Sequence, residues 1–270
     1  MKILVLGSEG QIGKPVCEFL EKNGHEVMRV DIKKSRLHDL RFGANPFIYS
    51  IFESCDFVYY FASDVGGAKY LEKNQDSFYF IDDNIKIMRA VFGALKDYNK
   101  PFIFTSSQMA EQPDSTYGNL KLIGERYTKA LGGMFVRLWN VYGKEEDEEK
   151  SHVITDFIAQ AKTGKIKCRT NGEEMRQFLH VDDFCECILA LTNRYAELDK
   201  KESIDVSSFQ WTSIHDIASI CANLFNCETE FADRLDQTQK NFKNDPKRKI
   251  LEIWRPKISI VEGIQKIANG

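Results

Sequence analysis

Apolar and polar positions alternate in blocks through the first half of the chain. The run "KILVLG" (Lys2 to Gly7) is a short apolar stretch stopped by glycine, Gln11 to Asn23 has helical spacing, and "EVMRVD" (Glu26 to Asp31) reads as a second strand. That is one βαβ unit. "FVYYFA" (Phe57 to Ala62), a long helix from about Asp76 to Asp97, "PFIFTSS" (Pro101 to Ser107), a helix from about Thr116 to Leu131 and "MFVRLWNV" (Met134 to Val141) continue the pattern. Strands alternating with helices predict an α/β fold, a doubly wound parallel sheet of Rossmann type. After Gly143 the rhythm loosens: an acidic loop "KEEDEEK" (144–150), a helix near His152 to Lys162, a short "QFLHV" strand (177–181), a helix from Asp182, "SIDVSS" (203–208), a helix from Ser213 to Asn226 and a terminal "SIVEGIQKIA" (259–268). The expected organisation is a first domain over residues 1–143 and a smaller C-terminal lobe over 144–270, partly interleaved with it. The acidic loop reads as a solvated connection, with a lid over a cleft as the alternative.

The 270 residues are 43% hydrophobic and 29% charged, which suffices for one large core, or a large and a small one. A formal net charge of -3 leaves no broad basic field for a polyanion, so nucleic acid is not an expected partner. The seven cysteines (Cys17, Cys55, Cys168, Cys185, Cys187, Cys221, Cys227) are odd in number and form no Cys-x-x-Cys pair. They read as reduced thiols; neither a disulfide framework nor a metal site is expected. No apolar run approaches the roughly 20 residues of a membrane span, and the N-terminus enters "KILVLG" without a signal-peptide core. The expectation is a cytoplasmic protein with no membrane partner.

The first strand-to-helix turn reads Gly7-Ser8-Glu9-Gly10-Gln11-Ile12-Gly13. Glycines there allow a tight turn and close backbone approach to a pyrophosphate, while the helix N-terminus offers amide donors and the positive end of its dipole. Asp31, 18 residues past Gly13 at the end of the second strand, is placed to accept hydrogen bonds from an adenosine ribose. It also repels a 2′-phosphate, so NAD is favoured over NADP, although Lys33, Lys34 and Arg36 are cations close enough to accommodate one.

Tyr117 and Lys121 are four apart at a helix start and share a face. A phenol with an ordinary pKa near 10 is a poor base at neutral pH unless a cation stabilises the phenolate. Lys121 is such a cation. With Ser107 at a neighbouring strand end to hold a hydroxyl, the three predict proton removal from an alcohol as its hydride leaves to nicotinamide.

Together these motifs resemble an extended short-chain dehydrogenase/reductase of the nucleotide-sugar epimerase, dehydratase and reductase type, over nearly the full length. The matching pieces are "GSEGQIG", Asp31, "HDLR", "FAS", Asn84, "FIFTSS", "YGNLK", "RLWNVYG", "RQFLHVDD" and "WRPKISIVEGI". The resemblance implies a catalytic triad of Ser107, Tyr117 and Lys121, and a smaller lobe that binds substrate. It implies a cofactor site formed by Gly7, Gly10, Gln11, Ile12, Gly13, Asp31, Asp39, Leu40, Phe61, Ala62, Ser63 and Asn84 with Tyr117 and Lys121. Asn140 and Arg176 would meet a nucleoside-diphosphate sugar, the arginine at a phosphate. "SDVGGAKYLEKN" and "SHVITDFI" resemble segments of GDP-fucose synthase and GDP-mannose 3,5-epimerase, which places Gly66, Gly67, His152 and Val153 at the sugar and favours GDP. Homodimers built on paired helices are common in the family.

Two positions depart from the family pattern. Members that eliminate water carry an Asp-Glu pair where this chain has Gln108-Met109, and the GDP-sugar epimerases carry a cysteine at the Met109 position. Neither glutamine nor methionine exchanges a proton usefully, so dehydration and epimerisation beside a ketone are disfavoured. Hydride transfer at one carbon, C4, remains, which describes a 4-dehydrogenase or 4-epimerase. An NADPH-dependent 4-keto reductase uses the same residues in reverse, and a dinucleotide-sensing regulator without turnover is the alternative of another class.

Overall fold

Strand β1 (Lys2–Leu6) is buried at every position after its first, as a strand covered on both faces must be. There follow α1 (Gly13–Lys22), β2 (Glu26–Val30), α2 (Pro46–Ser54), β3 (Phe57–Tyr60), α3 (Ala68–Asn74), α4 (Phe78–Tyr98), β4 (Phe102–Ser107), α5 (Thr116–Ala130) and β5 (Met134–Leu138). The rest of the chain forms β6 (Val141–Tyr142), α6 (Val153–Ala161), β7 (Lys165–Cys168), β8 (Met175–Arg176), β9 (Leu179–His180), α7 (Val181–Asn193), β10 (Ile204–Val206), β11 (Thr212–Ser213), α8 (Ile214–Phe225), β12 (Glu228–Phe231) and α9 (Ile260–Asn269). The computed structural model describes residues 1–43, 46–236 and 244–270.

Six strands form one parallel sheet in the order β10-β5-β4-β3-β1-β2. The two-residue side-chain period divides its core. Ile3, Val5, Phe57, Tyr59, Ile103 and Val136 face the layer holding α1 and α7, whereas Leu4, Leu6, Val58, Tyr60, Phe104 and Phe135 face α2, α4 and α5. Each such burial is worth about 1.5–3 kcal/mol, so these two layers outweigh the exposed ion pairs in holding the fold. A third core joins α6, α8 and α9 around Ile166 and Phe178. The chain is therefore α/β with a central Rossmann-type sheet. Its sixth strand, β10, comes from beyond Gly143, as does α7.

The structure differs from the sequence reading in several elements. "MFVRLWNV" is not one strand: it breaks after Leu138, Asn140 turns the chain with φ 41°, and β6 pairs instead with β9. Of "QFLHV" only Leu179 and His180 are extended, and α7 starts at Val181. Its cap is His180, whose Nδ1 accepts from the Asp182 amide at 3.2 Å. Asp183 instead accepts from the amides of Lys257 (3.0 Å) and Ile258 (2.9 Å), pinning the C-terminal segment. Helices α2 and α3 and the small ladders β7–β12 and β8–β11 have no counterpart in the sequence reading.

Candidate active site

The glycine turn packs so closely that larger residues do not fit. Gly7 has φ +85° and a Cβ on it would lie 2.8 Å from the Ala62 nitrogen, while one on Gly13 would lie 1.9 Å from the Gly7 carbonyl. Gly13 thus sits beneath the turn rather than on the cleft wall. The amides of Gly7 and Ser8 donate to Val30 (2.8 and 3.3 Å), and that of Glu9 donates to the Asp31 carboxylate at 3.0 Å. The amides of Gln11 and Ile12 find no acceptor among the described residues, which leaves two donors at the N-terminus of α1 for an anionic group. Gln11 reaches the other way, its Nε2 donating to the Val141 carbonyl at 3.1 Å.

A cleft of about 1040 Å³ runs along the carboxyl ends of the strands from this turn to the smaller lobe. Gly7, Gly10, Gln11, Ile12, Asp31, Asp39, Leu40, Phe61, Ala62 and Ser63 line one part, and Gly66, Gly67, Gln108, Met109, Asn140, His152, Val153 and Arg176 another, with Ser107, Tyr117 and Lys121 on the same wall. Like Gly13, Asn84 is absent from the cleft lining. It is buried behind the wall, where its Oδ1 accepts from the Asp64 amide at 3.0 Å and its Nδ2 donates to the carbonyls of Asp64 and Phe80. It shapes the loop after β3 rather than touching the cleft. Asp39 is bound by Arg41 through Nε (2.9 Å) and Nη2 (2.7 Å), and this guanidinium holds its carboxyl below the ordinary range.

Ser107 ends β4, and its Oγ accepts from the Met109 amide at 3.2 Å, near enough to the Tyr117 phenol to pull its pKa down. Tyr117 is fixed at the start of α5, where Ser115 caps the Gly118 amide at 3.0 Å and Gln75 accepts from the Tyr117 amide at 3.3 Å. Lys121, one turn on, donates to the Thr105 carbonyl at 3.0 Å and the Ser63 hydroxyl at 3.5 Å, with Nζ 5.7 Å from the centre of the Tyr117 ring. Burial pushes the Tyr117 phenol up to about 12, against the pull of Ser107, and pushes Lys121 down to about 8. Gln108 and Met109 are buried in the turn after β4. The carboxylate of that turn, Glu111, is not on the cleft wall and is bound by Arg137 and Asn244.

Gly67, which lines the cleft, packs closely against the segment that follows the acidic run. A Cβ there would lie 2.2 Å from the Ser151 carbonyl, and the Gly67 amide donates to the Lys150 carbonyl at 2.9 Å. Lys150 also pairs with Asp64 at 2.6 Å, and Glu146 with Lys14 at 2.8 Å. The acidic segment is thus a strap across the cleft, not a free solvated connection. Glu145 on this strap accepts from the His152 amide at 2.9 Å and pairs with His152 Nδ1 at 2.6 Å, leaving Nε2 as the ring's other nitrogen. Arg176 meets Asp236 at one nitrogen and the Met175 carbonyl (2.7 Å) at another. Glu145, Gln75 and a Glu72 pairing with Arg169 and Arg234 escaped the sequence reading, because charge type alone does not tell which member of an acidic run folds inward. Among the described residues no group of three His, Cys, Asp or Glu side chains converges to hold a metal ion. None of the described helices is long and apolar enough to cross a membrane.

The model of the NAD dependent epimerase/dehydratase family matches residues 3–207. The chain belongs to this family. NAD is accordingly its cofactor, and the glycine turn, its two unpartnered amides and Asp31 fit that group. GDP-mannose 3,5-epimerase 1 of Oryza sativa subsp. indica is 23% identical over 262 residues, 82% of this chain and 68% of the relative. GDP-L-fucose synthase 1 of Arabidopsis thaliana is 23% identical, covering 98% of this chain and 91% of its own. Among solved structures, a GDP-6-OMe-4-keto-L-xylo-heptose reductase from C. jejuni superposes with a TM-score of 0.82 at 19% identity, over 99% of this chain and 96% of that one. As a member of the epimerase/dehydratase family, the protein is an enzyme.

Proposed function

We propose that the protein transfers a hydride at C4 of a nucleoside-diphosphate sugar, with a GDP-sugar favoured, through a 4-keto sugar, acting as a 4-dehydrogenase or 4-epimerase. The observation that carries this reading is the cluster of Ser107, Tyr117 and Lys121 on a cleft wall whose adjoining turn offers Gln108 and Met109 in place of an acid and a base. When bound, NAD supplies the hydride acceptor. Ser107 Oγ holds the sugar hydroxyl, and the Tyr117 oxygen takes its proton as the C4 hydrogen departs. Lys121, ionised beside the ring, lowers the cost of the phenolate that a buried tyrosine otherwise resists. The His152–Glu145 pair lines the same cleft and offers the sugar a further polar contact.

The GDP preference draws on the relatives and on the 66–67 and 151–153 segments. The reductase reading with NADPH has the same triad behind it, but Glu9 lies 3.7 Å from the Lys34 ammonium, and the Asp31 carboxylate, which accepts from the Lys33 amide, stands where a 2′-phosphate would be repelled. A homodimer is the assembly that the exposed apolar positions of α4 and α5 support. The test is a panel of GDP-, UDP- and dTDP-sugars mixed with NAD-loaded protein, read by absorbance of the reduced nicotinamide. Reduction by a GDP-sugar that is lost in Tyr117→Phe is expected. Reduction that survives in Tyr117→Phe would overturn the assignment of the base.

A further inference from the structure

At the far end of the cleft, Glu72 of α3 spans to the opposite wall. Its Oε2 accepts from Arg169 Nη2 at 2.5 Å, directly after β7, and its Oε1 accepts from Arg234 Nη2, three residues past β12. Each carboxylate oxygen is thus occupied by a different guanidinium. All three residues line the cleft that also holds Tyr117 and Lys121, and Lys167 adds a further cation to its lining. Elsewhere on this wall Arg176 is met by Asp236 and Thr170 by Glu174.

The strength of this bridge matters. The side chains of Glu72, Arg169 and Arg234 are 35%, 49% and 45% exposed, so the two pairs belong to the weak, solvent-screened kind, about 0–1 kcal/mol each. Leu71 and Tyr70 anchor α3, while Glu72 lies on its exposed side, so its side chain can leave the arginines without unpacking the helix. A carboxylate that weakly fills a fork of two arginines is readily exchanged for a group with more charge and more acceptor oxygens, and phosphoryl groups meet arginine in the same bidentate way.

We propose that Glu72 occupies the seat of the ligand's diphosphate, and that a nucleoside diphosphate binds by displacing this carboxylate from Arg169 and Arg234. This rests on the nucleotide-sugar reading above. Glu72 is then an affinity-setting residue: it keeps the two guanidiniums apart from small anions and yields to a ligand able to satisfy both.

The experiment is calorimetric titration of UDP and of GDP into NAD-saturated protein, so that the adenosine site is filled, for wild type, Glu72→Gln, the Arg169→Ala/Arg234→Ala pair and the triple variant. Glu72→Gln is expected to tighten binding about tenfold, the scale of the two competing pairs lost together. The arginine pair is expected to weaken binding, and in that background Glu72→Gln should change it by less than about twofold, the signature of a direct coupling. Glu72→Ala serves as a second variant with the same expected direction, and retained NAD reports its fold. Unchanged or weaker binding in Glu72→Gln overturns the proposal, as does an equal gain in both backgrounds, which is a field effect without displacement. If neither nucleotide binds wild type or Glu72→Gln, the nucleotide-sugar reading falls and takes this proposal with it. Binding that ignores all three residues removes the proposal alone.

Discussion

Lys121 and Tyr117 are opposed by the same environment that makes them useful. Burial moves the lysine down from 10.5 to about 8, so between those values the unfolded chain binds more protons than the folded one and stability rises with pH. Below about 8 the folded protein bears the full cost of the buried ammonium. Lys121→Met is therefore predicted to raise the melting temperature at pH 7, by roughly 2–3 kcal/mol in stability, with the gain fading towards pH 10.5. Thermal melts at the two pH values check it; no gain at pH 7 would contradict a buried, charged Lys121. Tyr117→Phe is predicted to slow single-turnover nicotinamide reduction about 10²–10⁴-fold while leaving bound NAD unchanged. Ser107, Tyr117 and Lys121 were legible because strand-end position and i,i+4 spacing are local properties. Glu145 was not, since five of the seven residues from 144 to 150 are acidic and only the folded strap shows which one meets His152.

At the scale of elements, the strap from Lys144 to His152 and the loop after β3 are built against each other. Gly67 has no room for a side chain, because a Cβ would meet the Ser151 carbonyl at 2.2 Å. Gly67→Ala is predicted to cost about 1–3 kcal/mol and to loosen the strap. The expected outcome is a lower melting temperature together with NAD lost on gel filtration; full retention would detach the strap from cofactor binding. The resemblance places this glycine pair at the sugar, but the group that closes on Gly67 lies more than 80 residues away, and periodicity carries no such long-range information. The same holds for β6 and β9, two residues each, whose pairing depends on the turn at Asn140.

Across the whole molecule, the parallel sheet followed from the alternation of strands and helices, because β1, β3 and the start of β4 are buried apolar runs. The origin of β10 did not: three residues beyond Gly143 join β5 through contacts near Val136 that no local pattern announces. The outer faces of α4 and α5 leave Ile85 (47%), Ile123 (44%) and Tyr127 (47%) exposed. If these faces pair in a homodimer, Ile85→Glu with Ile123→Glu should yield a monomer in light scattering with unchanged NAD content, whereas an unaltered mass would place the interface elsewhere.

Hydride transfer at C4, with Tyr117 taking the hydroxyl proton, leaves an isotopic trace. Its most direct test is a single turnover of NAD-loaded protein with a GDP-hexose deuterated at C4, followed by mass spectrometry of the nicotinamide. One deuterium is expected on the reduced ring, and none in Tyr117→Phe. Reduced cofactor free of deuterium would contradict it.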